Sequence, residues 1–349
     1  MTAHRVWLKL HQWAGLTGAV FIFVMAATGS ALVFENGIDR TLNPSTSYVT
    51  PEGRPLPLST LVARANAADP ADPVGGIHIA EEPDQAYELS ARRRHSIFIN
   101  QYSGEILGTR NREHSVARFV HLLHTRFLAG EIGERLAGAF TVVMLFLAAS
   151  GIVLWWPRKI VWPKAGVSWK RTNFDVHNTL GFYSSIVMFV IASAGVLIAF
   201  EPVLDPLVLR LNAAPEADAS KLQSIPEPGA QRIPPEDAIA VARAILPGAF
   251  ASNINVPAGP KAIYRVLLKY PEDRTPAGRS RVYVDQFTGT VIGVESTRTA
   301  QFGRRVLNLK RSLHTGDIFG EPTEALYFLV SLGVALQVGT GVLIWWNSR

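Results

Sequence analysis

Four histidines stand at matched positions in this chain of 349 residues. His11 opens HQWAGLTGAVFIFVMAATGSALVFE and His177 opens HNTLGFYSSIVMFVIASAGVLIAFE, each segment closing on Phe-Glu 24 residues after its histidine. His124 and His314 each stand in an LHT triplet, 31 residues before Trp155 and Trp345. Neutral imidazole is the commonest metal-ligating side chain. Two imidazoles approaching one axis from opposite sides suit the axial positions of a haem iron, or another shared metal role. A solitary histidine near a helix end is more often an interfacial residue with no ligand role. The matched spacing in two copies is what points to ligation.

The elements that must hold these residues follow from the same repetition. Self-similarity at fixed spacing marks an internal duplication. Four apolar runs, roughly residues 16–34, 136–156, 180–200 and 325–346, carry no Lys, Arg or Asp at their centres. Each is long enough to cross a hydrocarbon core of ~30 Å. The expected fold is therefore an integral membrane, α-helical protein with four transmembrane helices in two parallel pseudo-symmetric repeats. Twenty-four helical residues span ~36 Å, so Glu35 and Glu201 at one membrane edge place His11 and His177 at the other. His124 and His314 then fall at or beyond the edge marked by the glutamates. His121, three residues before His124, is an alternative ligand there, or a contact for a propionate or substrate; its counterpart is Arg311. Arg118, Arg126, Lys310 and Arg311 are the cationic candidates for haem propionates. Gly15, Gly18, Gly29, Gly138, Gly151, Gly181, Gly195, Gly333 and Gly341 would make room for a flat ring, or simply allow close helix packing.

The stretches between the helices read as two small α+β domains. In each, a short helix precedes strand-like runs, and the hairpins NQYSGEILG and DQFTGTVIG match. The chain divides into helix 1 (1–35), a first outer domain (36–117), an interfacial segment with helix 2 (118–157) and an inner loop (158–176). Helix 3 (177–201), a linker with the second outer domain (202–308), and a last interfacial segment with helix 4 (309–349) follow. The recurrence of the first segment at 177–201 argues that it is retained rather than cleaved as a signal. Arg158, Lys159, Lys164, Lys170 and Arg171 beside helix 2 place both termini in the cytoplasm by the positive-inside rule, and all eight tryptophans fall near that interface.

Composition narrows the chemistry. The chain has no cysteine, which excludes disulfides, covalently attached c-type haem and Cys-ligated iron–sulfur clusters. No GxGxxG, GxxxxGK[ST] or HExxH motif occurs, so no nicotinamide, flavin or nucleotide site is expected. The net charge of +6 is spread without a block of like charges, and no nucleic-acid partner is inferred.

LHQWAGL, HLLHTRFLAG with IVLWWPR, HNTLGF, and LHTGDIFG with VLIWW together resemble the PepSY-associated transmembrane family. The two hairpins resemble PepSY-domain endings. This resemblance implies a bacterial inner-membrane, multi-pass protein with two PepSY-like periplasmic domains. Among the family's members are siderophore reductases of the ferrioxamine-reductase type, which hold two b-type haems. On that model His11 and His177 serve the inner haem and His124 and His314 the outer one. A quinol or cytoplasmic reductase would supply electrons, and a ferric siderophore in the periplasm would accept them. The alternative is a non-enzymatic PepSY regulator or sensor that binds a peptide or restrains a protease.

Overall fold

The computed structural model describes residues 2–93, 95–213, 219–226 and 229–348, so residues 214–218 and 227–228 of the expected linker lie outside the described residues. The chain forms two compact units, residues 1–35, 116–208 and 309–349 in one, 36–115 and 209–308 in the other.

The first unit is helical. Four helices are long and apolar enough to cross a membrane: α1 (Ala3–Leu32), α6 (Gly130–Trp155), α7 (Trp169–Ala199) and α11 (Glu321–Asn347). With the family match reported below, they make this an integral membrane protein. Helix α1 packs against α6 and α11, and α7 packs against the same two, which closes a four-helix ring. Its centre is apolar, with Ile22, Ala26, Ala148, Met188, Ile191 and Val334 buried together. Two shorter amphipathic helices, α5 (Val116–Arg126) and α10 (Phe302–Thr315), lead into α6 and α11. The turn from α5 to α6 holds Phe127 and Leu128 in the left-handed region, at φ 45° and 59°. The Arg126 carbonyl fills the place of any side chain at Gly133, so the reversal depends on that glycine.

In the second unit α2 (Glu35–Leu42, its first residue belonging to the helical unit) and α3 (Pro44–Ser47) precede α4 (Leu58–Ala68), and α9 (Pro235–Ile245) follows α8 (Glu201–Leu209) of the helical unit. Proline at its start and Glu236 and Asp237 in its first turn favour α9 where a helix leaves its amides unpaired. The Glu236 carboxylate also accepts from the Ser59 amide (3.0 Å) and hydroxyl (2.6 Å), capping α4 from its neighbour. Strands β1 (Val74–His78), β2 (Tyr87–Ala91), β3 (His95–Ile99) and β4 (Ile106–Asn111) match β5 (Phe250–Asn255), β6 (Ile263–Lys269), β7 (Ser280–Asp285) and β8 (Val291–Glu295) in order.

Where the sequence suggests two separate small domains, all eight strands join one antiparallel sheet, β4-β3-β2-β1-β5-β6-β7-β8. The seam is β1 against β5, pairing Ile77 with Ile254. Each half alone would leave a strand edge of unpaired amides and carbonyls, and the seam satisfies both. Leu61 and Ala65 of α4 and Ala238 and Ala242 of α9 cover one face, over Ile77, Leu89, Ile254, Val266 and Val282.

Leu61 is fully buried. Leu61→Ala is expected to destabilise this unit by about 2–5 kcal/mol. Hydrogen exchange should quicken across β1–β3 and β5–β7 while the four long helices keep their protection; unchanged exchange in the strands contradicts this packing.

Candidate functional site

Each of the four matched histidines is held by its first ring nitrogen. The His124 Nδ1 lies 3.0 Å from the Met25 carbonyl and 3.1 Å from Thr28 Oγ1. His314 Nδ1 lies 3.0 Å from the Ile191 carbonyl. His177 Nδ1 meets the Gln337 carbonyl at 3.2 Å and Thr340 Oγ1 at 2.9 Å. His11 Nδ1 meets Ser150 Oγ at 2.7 Å.

These partners follow one local rule. Met25, Ile191 and Gln337 each stand four residues before a glycine: Gly29, Gly195 and Gly341. A helix carbonyl already accepts the amide four residues on, yet its oxygen has a second lone pair. A side chain at the glycine would cover that lone pair. A Cβ at Gly29, Gly195 or Gly341 would come within 3.1 Å of the Cε1 of His124, His314 or His177 respectively. Gly151 seats His11 more loosely, at 3.7 Å; there Ser150 intervenes, its hydroxyl bonded at 3.3 Å to Leu147, again four residues before the glycine.

The hydroxyls fix the tautomer. Thr28 donates to the Val24 carbonyl (2.6 Å), Thr340 to Gln337 (2.9 Å) and Ser150 to Leu147. Each hydroxyl proton is thus committed to its own helix, and the oxygen can only accept from the imidazole. His124, His177 and His314, whose Nδ1 meets a carbonyl that can only accept, therefore carry the proton on Nδ1 and present Nε2 as a lone pair, and Ser150 can accept from His11 in the same way. This is the support that orients and strengthens a metal-ligating imidazole.

The His124 and His314 rings stand 6.1 Å apart between centroids, inclined at 52°. Two imidazoles on one metal, with metal–nitrogen bonds of about 2.0–2.1 Å, have ring centres ~6 Å apart. Burial, then the neighbouring His314, pushes the His124 imidazole down to about 4, and burial likewise lowers His314. Both rings are neutral at pH 7. Both turn toward the long helices, their acceptors being Met25 of α1 and Ile191 of α7. His11 and His177 line a common cavity of about 500 Å³ among α1, α6, α7 and α11, a volume in the range of cofactor pockets.

The remaining candidates separate. His124, not His121, is the ring set against His314. His121 lies within the field of Glu35, Arg118, Arg311 and Arg126, although burial is what chiefly lowers its pKa. Arg126 pairs with Glu134 at 3.0 Å. Arg311 is exposed and acts on both His121 and His314. Lys310 is engaged by Asp205 at 2.8 Å and by Glu201 at 3.2 Å, the glutamate remaining 59% exposed. Trp155 is packed within the protein at the end of α6. It is buried, donates to the Ile160 carbonyl at 2.7 Å and stacks on Phe182 at 3.9 Å.

Sequence reasoning missed the accepting carbonyls and the Thr28, Ser150 and Thr340 hydroxyls. The available signal was a glycine 18 residues after His11 and His177, and 27 after His124 and His314.

In metal-free protein, imidazole ¹⁵N spectra should show His124 protonated at Nδ1 and bare at Nε2, untitrated from pH 7 down to about pH 5, whereas an ordinary histidine titrates near ~6.5. A His124 resonance that titrates near neutrality contradicts this description.

No curated protein matches the chain. A family model described as the PepSY-associated TM region matches residues 8–348, and since that is nearly the whole length, this multi-pass chain belongs to the PepSY-associated TM region family.

Proposed function

We propose that the two histidine pairs are the axial ligands of two b-type haems, His11 with His177 and His124 with His314. On this reading the protein is an inner-membrane reductase that passes electrons across the bilayer to a ferric siderophore. The observation that carries the reading is the 6.1 Å approach of His124 to His314, with every Nε2 left as a lone pair. Among the described residues no group of three or more His, Cys, Asp or Glu converges. A zinc ion bound by protein alone takes three or four ligands, whereas a metal already held in a macrocycle needs only two. Pairs rather than triads therefore favour haem.

The repeats, in this reading, are related by a pseudo-twofold axis along the membrane normal. Support comes from the helix ring, in which the matched helices α1 and α7 both pack against the matched α6 and α11. The basic segment after α6 favours cytoplasmic termini by the positive-inside rule, and with them a periplasmic sheet unit with two PepSY-like halves.

Bound haem supplies one-electron transfer without proton chemistry in the protein. The chain's own residues fix the imidazoles, keep them neutral and exclude water with Ile22, Met188 and Val334. Arg311 and Arg118 suit the propionates of the haem nearer the periplasm. One electron converts the substrate's ferric iron to ferrous iron, which hard oxygen donors hold less tightly, so the metal is released. The electron enters from a quinol or a cytoplasmic reductase.

The test is pyridine-haem quantitation with oxidised and dithionite-reduced spectra of detergent-purified protein. About two b-type haems per chain are expected. One should be lost in His11→Ala or His177→Ala, the other in His124→Ala or His314→Ala, while His121→Ala keeps both. Protein without haem, expressed with ample haem supply, overturns the reading and leaves the non-enzymatic regulator.

The glycine seats add a graded check. Gly195→Ala, whose Cβ would stand 3.1 Å from both His314 Cε1 and Thr141 Cγ2, should lower haem content by about one per chain. Gly151→Ala, with an ordinary 3.7 Å contact, should retain both haems.

A further inference from the structure

The cavity that holds His11 and His177 is amphipathic from end to end. Its depth is closed by Ile22, Met188 and Val334; its mouth, where α1 and α7 begin and α6 and α11 end, carries Gln12, Asn178, Arg158 and Ser348. No Asp, Glu or Lys is among the described residues lining it, and Arg158 is the only guanidinium. That guanidinium is exposed and lies 5.1 Å from the Phe174 ring centroid. Gln12 and Asn178 occupy matched positions in the two sequence copies, as do Arg158 and Ser348. Arg158 is therefore the one guanidinium at a mouth that also carries the His4 imidazole.

A cavity with apolar depth and a cationic, amide-bearing mouth fits an apolar body with carboxylates on one edge. Arginine binds carboxylates through two parallel N–H donors, and the flanking amides add further donors. We infer that Arg158, with Gln12 and Asn178, is the carboxylate-binding rim of this cavity, and that it fixes the porphyrin with its propionate edge toward the mouth. The inference rests on the proposed haem reading and gives Arg158, which the sequence marked only as part of a basic loop, a place in it. Arg158 is a positioning residue: it acts on the edge of the ring, away from the iron.

The experiment uses full-length His314→Ala protein, which keeps only the His11/His177 site, depleted of haem in detergent. It is titrated with ferric protoporphyrin IX and, separately, with the dimethyl ester of the same porphyrin, binding being followed by the Soret band. The free acid should bind more tightly than the ester. Arg158→Gln should weaken the free acid by about tenfold, the scale of a charge-assisted hydrogen bond, and erase its advantage over the ester. Arg158→Lys should keep part of that advantage, which separates charge from folding. Equal binding of acid and ester, or an Arg158→Gln variant that keeps the preference, overturns the rim while leaving the haem reading intact. Failure of both porphyrins to bind overturns the rim and the haem reading together.

Discussion

The helical unit depends on one small interaction made in near-identical form: an imidazole Nδ1–H reaching a helix carbonyl through the gap left by a glycine. Helix carbonyls are normally shielded by the side chain four residues on. Removing that side chain at Gly29, Gly195 and Gly341 opens the second lone pair of Met25, Ile191 and Gln337. The bond does three things together. It satisfies a buried donor, fixes which nitrogen carries the proton, and aims the other nitrogen away from the helix wall. Without it a neutral imidazole in an apolar bundle could take either tautomer.

The two sequence copies use this device with small differences. Thr28 gives His124 a second acceptor where the other copy has Ala194. His11 reaches its helix only through Ser150, whereas His177 meets both the Gln337 carbonyl and Thr340. Gln337 itself stands where the first copy has Leu147, and its amide occupies the space in front of Gly181. A carbonyl acceptor raises the basicity of a ligating imidazole more than a hydroxyl already engaged in its own helix. The copies are thus alike in geometry and unlike in the electronic character they give each ring.

Much of this was legible in the sequence because repetition exposes what matters. The histidine pairs, the four long apolar helices, α4 and α9, and the order of the strands all follow from spacing and turn residues. Three things were not legible. The union of eight strands into one sheet depends on β1 meeting β5, residues far apart in the chain that carry no pairing signal. The turn of His124 toward α1 depends on the tight reversal at Phe127 and Leu128, which propensity disfavours, whereas the matching reversal after His314 uses Gly316 and Gly320. The glycines were readable as space for a ring, but four of them prove to be seats for imidazoles, a distinction that needs the partner's coordinates.

The most direct test of the proposed ligation of two haems by the histidine pairs is low-temperature electron paramagnetic resonance of the oxidised protein. Axial ligation by two neutral imidazoles predicts low-spin ferric signals from both centres, with no high-spin component near g = 6 beyond a trace. A dominant high-spin signal would mean that one imidazole of a pair does not reach the metal, and would contradict the account.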